Sequence, residues 1–93
     1  MKQTESGQNV ITLTVAGKEI SFEPTTTAYN KALNESTRTE DVVGAMRTYL
    51  LRIVTPDSRA ALNEILKVPG AAPQLAKVIN EQFAPSLEIE VKQ

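Results

Sequence analysis

A single apolar stripe most constrains what this chain can fold into. Val42, Val43, Met46, Tyr49, Leu50, Ile53 and Val54 recur at steps of three and four residues, which lays them along one side of an α-helix. No other stretch carries so long an apolar face, so residues 37–54 are read as the central core helix. Thr37 followed three residues later by Glu40 has the form of a capping box: the hydroxyl accepts from an orphan backbone N–H and the carboxylate reaches back to the cap. Asp41 adds a negative charge where the helix dipole is positive. Thr55-Pro56 marks the stop, because proline disfavours the helical region for the residue before it. The stripe demands a covering layer and carries no chemistry of its own.

Upstream the period changes to two. In residues 9–15, Ile11, Leu13 and Val15 point one way and Val10, Thr12 and Thr14 the other. Ala16-Gly17 reads as a two-residue turn, with glycine taking the positive φ. A second strand over residues 18–23 carries Ile20 and Phe22 on one face. A two-residue loop pairs Val15 with Lys18, Leu13 with Ile20 and Ile11 with Phe22. The apolar residues of both strands then share one side, as a register must achieve when one face is buried.

Pro24 ends the second strand, and Thr25-Thr26-Thr27 offers caps for a short helix to about Asn34, anchored by Tyr29 and Leu33 at i, i+4 with Ala28 and Ala32 beside them. Thr55-Pro56-Asp57 starts a third helix, with Ala61, Leu62, Ile65 and Leu66 as its face and Pro69-Gly70 as its stop. A fourth begins near Ala72-Pro73, carries Leu75, Val78, Ile79 and Phe83, and closes at Pro85. Residues 86–92 alternate again, with Leu87, Ile89 and Val91 on one side and charges on the other. A lone strand of that length is not stable, and the N-terminal hairpin needs a neighbour. The expected fold is therefore α+β: an N-terminal β-hairpin plus a C-terminal strand in a small three-stranded sheet, packed against about four helices. Residues 1–8 read as a disordered lead-in and 9–93 as a single domain.

Composition narrows the function classes. The chain has no cysteine and no histidine, which removes thiolate chemistry, the commonest zinc, haem and iron–sulfur ligands, and the usual acid–base group near neutral pH. No cofactor or metal is expected, and no catalytic residue stands out. The net charge is −1, and the ten basic residues are spread along the chain, unlike the clustered Lys and Arg of a nucleic-acid surface. No apolar run approaches the roughly 18–20 residues that span a bilayer, and the polar start lacks a signal-peptide core. A cytoplasmic protein without nucleic-acid or membrane partners is expected.

Several features invite a functional reading. Glu88 and Glu90, with Glu81 upstream, form no set with a further ligand, and alternation on a half-buried strand explains them. Arg47, Arg52 and Arg59 have acids interleaved among them, as a solvated helix face does. Gly44 costs its helix about 1 kcal/mol relative to alanine, which suggests close helix packing before it suggests a hinge or docking notch. Pro69-Gly70-Ala71-Ala72-Pro73 is a helix–helix turn with no phosphate-binding pattern. Tyr29 and Tyr49 read equally well as interface anchors and as core-edge residues with hydroxyls in water. The hairpin's outer face, Val10, Thr12 and Thr14, and the open sheet edges are places for pairing with another chain.

The run from Ile11 to Thr25, ITLTVAGKEISFEPT, followed by Ala28-Tyr29-Asn30, resembles the opening of the tail assembly chaperones of long-tailed bacteriophages and prophages. Leu51-Arg52-Ile53-Val54, Leu62, Leu66, Pro69-Gly70, Gln74-Leu75-Ala76 and the run from Ala84 to Lys92 are similar in plan to the rest of that family. The resemblance covers the chain from about Asn9 onward, and its motifs are structural. It implies a non-enzymatic protein that binds the long, largely helical tape-measure protein, keeps it soluble and helps tail-tube subunits polymerise around it. A tail-tube protein as a further partner, self-association through the open sheet edges or as self-assembled copies, and work in the host-cell cytoplasm are the accompanying expectations. Many such proteins are made in a short form and a longer frameshifted form, and this chain resembles the short one. The alternative is a structural minor tail or baseplate component retained in the virion. No particular residue is assigned to partner binding.

Overall fold

A computed structural model of the chain describes residues 10–84 and 89–92. Two strands, β1 (Ile11–Val15) and β2 (Lys18–Phe22), form an antiparallel hairpin. The helices follow as α1 (Thr26–Arg38), α2 (Val42–Ile53), a 3₁₀ turn (Pro56–Ser58), α3 (Arg59–Ile65) and α4 (Ala71–Phe83). The α+β character expected from the pattern is present. The lead-in 1–8 lies outside the described residues.

The hairpin register is the one set by turn arithmetic, with Ile11 opposite Phe22, Leu13 opposite Ile20 and Val15 opposite Lys18. Ala16 and Gly17 both take positive φ, 51° and 82°, as a turn matched to strand twist requires. Ile20 and Phe22 are fully buried, while Val10, Thr12 and Thr14 are exposed.

The third strand expected over 86–92 is not shown. Leu87 lies outside the described residues, and 89–92 make no strand pairing, with Ile89 79% and Val91 82% exposed. The far edge of β2 is instead taken by the chain leaving α2. Glu23 N–H donates to the Ile53 carbonyl at 2.7 Å, Thr55 N–H donates to the Ser21 carbonyl at 3.0 Å, and Val54 bridges Phe22. Ser21 N–H then donates to the Ser58 Oγ at 2.8 Å, and Ser58 is itself buried. A stub of three residues and one serine thus satisfies backbone groups on the outer edge of β2.

The central helix is shorter than the stretch 37–54 read for it, and its start lies elsewhere. Thr37 belongs to α1, which runs past Asn34 to Arg38, and its Oγ1 donates to the Asn34 carbonyl. The capping box of Thr37 and Glu40 does not form. Thr39 Oγ1 accepts from Asp41 N–H, and Asp41 is the true N-cap, its Oδ1 accepting from Gly44 N–H at 2.9 Å. Gly44 is explained by that cap. A Cβ at position 44 would collide with the Asp41 carboxylate, so the glycine serves the cap and not the close helix approach expected for it.

Tyr49, Leu50 and Ile53 of α2 reach the core with Leu62 of α3 and Leu75 and Ile79 of α4. Gly70, with φ +80°, turns the chain from α3 into α4. Val42 and Val43 at the start of α2 stay 40% and 47% exposed. The apolar stripe therefore outruns the layer that covers it, and Val42 lines one wall of a groove.

Candidate protein-binding groove

The groove is built from three helical stripes. Tyr29, Ala32, Leu33 and Ser36 of α1 stand at i, i+3, i+4 and i+7; Val42, Ala45, Met46 and Tyr49 of α2 repeat that spacing; Ala76 and Asn80 of α4 are one turn apart. Each series places its members on one helix face. Ala32, Ala45 and Ala76 leave room between the helices, and the larger residues stand as walls and rim. The hollow measures about 120 Å³. An apolar cavity of about 150 Å³ accommodates benzene, so this one has room for about one branched aliphatic side chain. Leu33 and Val42 at the rim are 48% and 40% exposed.

Aromatic rings fix the inner wall. Tyr29 meets Tyr49 edge-to-face at 6.3 Å between centroids and meets Phe83 at 6.1 Å in the same manner, within the range favoured for aromatic pairs. Tyr49 is 2% exposed, so the reading of a core-edge residue with its hydroxyl in water does not fit: the hydroxyl is buried. Burial, with the nearby Tyr29 hydroxyl adding to it, pushes its pKa up from 10.0 to about 12. The Tyr49 hydroxyl and the Asn80 Oδ1 are buried without a hydrogen-bond partner among the described residues. Such atoms destabilise a fold unless something meets them. Both residues line the groove, but the two atoms themselves are sealed from it.

The other candidate features separate from the groove. Arg52 pairs with Glu35 at 3.8 Å, and Arg59 Nη1 donates to the Leu51 carbonyl, while Arg47 lines a separate open concavity with Arg38 and Asp41, so the three arginines make no single patch. Glu81 and Glu90 are exposed, and Glu88 lies outside the described residues. Among the described residues no three His, Cys, Asp or Glu side chains gather where a metal could be held, and no helix is long and apolar enough to cross a membrane. A second apolar hollow, between the hairpin turn and the α3–α4 turn, is lined by Val15, Val68 and Leu75 and contains neither unpartnered atom.

Sequence reasoning saw the walls of the groove and missed its floor. Tyr29 and Leu33 were visible as anchors and Val42 and Met46 as part of a core stripe. The alanines at 32, 45 and 76 were the overlooked signal, since three small residues on three apolar faces leave space. Asn80 gave no signal apart from being polar one helical turn after Ala76.

The profile of a family described as phage tail assembly chaperone matches residues 11–93. The chain is also 38% identical over 91 residues to an uncharacterised 11.3 kDa protein from the region 3′ of lys in Haemophilus phage HP1, covering 98% of this chain and 88% of that protein. No solved structure matches. The chain belongs to the phage tail assembly chaperone family.

Proposed function

We propose that the chain acts without catalysis, as a chaperone that grips the tape-measure protein in the groove between α1, α2 and α4 during tail assembly in the host-cell cytoplasm. The observation that carries this reading is the groove itself: an apolar hollow lined by three alanines, with an exposed aliphatic rim. Family membership supports a role in tail assembly. A partner helix lying along the groove seats one aliphatic side chain between Leu33 and Val42 and covers both. Reversible cover of this kind keeps an apolar helical protein soluble and leaves it free to be handed to the tail-tube protein.

Co-expression with a tape-measure fragment tests the proposal. The wild-type chain raises the fragment's soluble yield, and Leu33→Asp combined with Val42→Asp abolishes the gain while the variant itself stays folded, since both positions are exposed. Unchanged solubility with the wild-type chain would remove the proposal. Equal help from the double variant would move the site away from the groove.

A further inference from the structure

The two edges of the hairpin are not alike. On β2, Ser21 turns both backbone groups outward: its N–H donates to Ser58 Oγ and its carbonyl accepts from Thr55 N–H. Ser21 stands opposite Thr12. Residues directly opposite in an antiparallel pair aim their backbone groups either both at each other or both away. Thr12 therefore aims its N–H and C=O away from β2, and Thr14, two residues on, does the same. Among the described residues no backbone group meets them. The usual guards of an open edge are missing too, since β1 holds no charge, no proline and no bulge.

Many extended segments satisfy such an edge, so the side chains decide the occupant. β1 reads ITLTV, a pattern of apolar residues and threonines that is the same in both directions. Laid antiparallel against a second copy about Leu13, it sets Thr12 against Thr14, Ile11 against Val15 and Leu13 against Leu13. Thr12 and Thr14 of the two copies then form the hydrogen-bonded pairs, and every outward N–H meets a C=O. A slip of one residue sets threonine against leucine and turns one copy's apolar row to the wrong face. A slip of two sets a threonine against Val10 or against Ala16 in the turn. Facing threonines are favourable cross-strand pairs, and with no charge on β1 no like charges meet.

Burial supplies the reason to pair. Ile20 and Phe22 of β2 are fully buried, whereas Ile11, Leu13 and Val15 of β1 share their face and are only partly buried. A second β1 in this register brings its own Ile11, Leu13 and Val15 onto that face, and each row covers the other's flank.

We propose that β1 of one copy pairs antiparallel with β1 of a second about a two-fold axis at Leu13, joining the two hairpins into one sheet. Identical surfaces meet, so the contact closes as a dimer. The other edge of each hairpin is already taken by residues 53–58, so the sheet stops there. No groove-lining residue lies on β1, and the inference stands apart from the proposed function.

Amide exchange by NMR and sedimentation of the full chain, without any tape-measure fragment, test it between about 1 μM and about 1 mM. The expected result is a mass that doubles as concentration rises, with the Thr12 and Thr14 amides exchanging fast in the dilute chain and slowly in the concentrated one. Thr14→Pro abolishes the doubling and keeps the Thr12 amide fast while the hairpin stays formed, because proline is tolerated where an edge N–H faces solvent. Should that variant not fold, Thr12→Lys with Thr14→Lys, both at exposed positions, sets lysine against lysine in the dimer and gives the same loss. A single-chain mass with both amides fast at the highest concentration would overturn the proposal. So would doubling that survives in both variants, which places the contact elsewhere. Protection of the two amides at every concentration, lost on deleting residues 89–93, would overturn it in favour of the chain's own C-terminal segment.

Discussion

Replacing Ser58 with alanine removes one oxygen from the place where the short stub after α2 substitutes for a third strand. Ser58 Oγ accepts from Ser21 N–H at 2.8 Å, and the residue is 8% exposed. Alanine leaves that part-buried N–H without an acceptor, and a buried group left unsatisfied costs about 1–3 kcal/mol. Partial access of water to Ser21 places the expected loss at about 1–2 kcal/mol. A domain of this size shifts its melting midpoint by about 4–8 °C per kcal/mol, so the expected fall is about 5–15 °C. Thr12→Ala supplies the control. It removes the 2.8 Å contact between Thr12 Oγ1 and Ser21 Oγ on the exposed face of the same strand pair, and surface changes of that kind stay within about 0.5 kcal/mol. Deleting residues 89–93 supplies the contrast, because a chain whose segment 89–92 pairs with nothing loses no stability when dilute. Urea and thermal unfolding of the four proteins at low concentration decide the matter. A Ser58→Ala variant as stable as wild type, or a deletion that costs more than the serine does, would refute the assignment of the β2 edge to residues 53–58.

Further consequences concern the helices and the groove. Asp41→Ala removes the cap that Gly44 N–H uses and lowers stability by about 1 kcal/mol; Gly44→Ala gains little despite alanine's helix propensity, because its Cβ displaces the same carboxylate. Leu62→Ala empties a fully buried site and costs about 2–5 kcal/mol by chemical denaturation. Tyr49→Phe removes a buried hydroxyl with no partner, so the chain is as stable as wild type or more so. Tyr49 also sets an alkaline limit. Its pKa is raised in the folded state from 10.0 to about 12, so its contribution is complete below pH 10 and is lost as pH rises through 12. That loss is roughly 2–3 kcal/mol, and urea titrations across the window show it in wild type and not in Tyr49→Phe.

What the sequence revealed and what it hid follow from range. The hairpin was legible to the register because alternation and a two-residue turn constrain each other locally. The helices were legible as apolar stripes, but the start of α2 was not. The Val42 and Val43 side chains extend the stripe into solvent, and Thr37 imitates a cap that Asp41 supplies. The expected third strand is not shown among the described residues, and what lies along β2 instead was hidden for a long-range reason. Ile53, Val54 and Thr55 read as the end of a helix, and nothing nearby in sequence says that they lie against β2. The groove escaped notice because it is defined by what three alanines on three separate helices leave unfilled. Periodicity reports which side chains are apolar; it does not report where facing ones fall short of touching.

The most direct test of the account is the affinity of a tape-measure fragment for the wild-type chain and for Leu33→Asp/Val42→Asp, measured by titration calorimetry. Burying an aliphatic side chain contributes about 1.5–3 kcal/mol, and each 1.4 kcal/mol is about tenfold in affinity. The account predicts a dissociation constant weakened at least about tenfold in the folded variant. Equal affinity in the two proteins would contradict it.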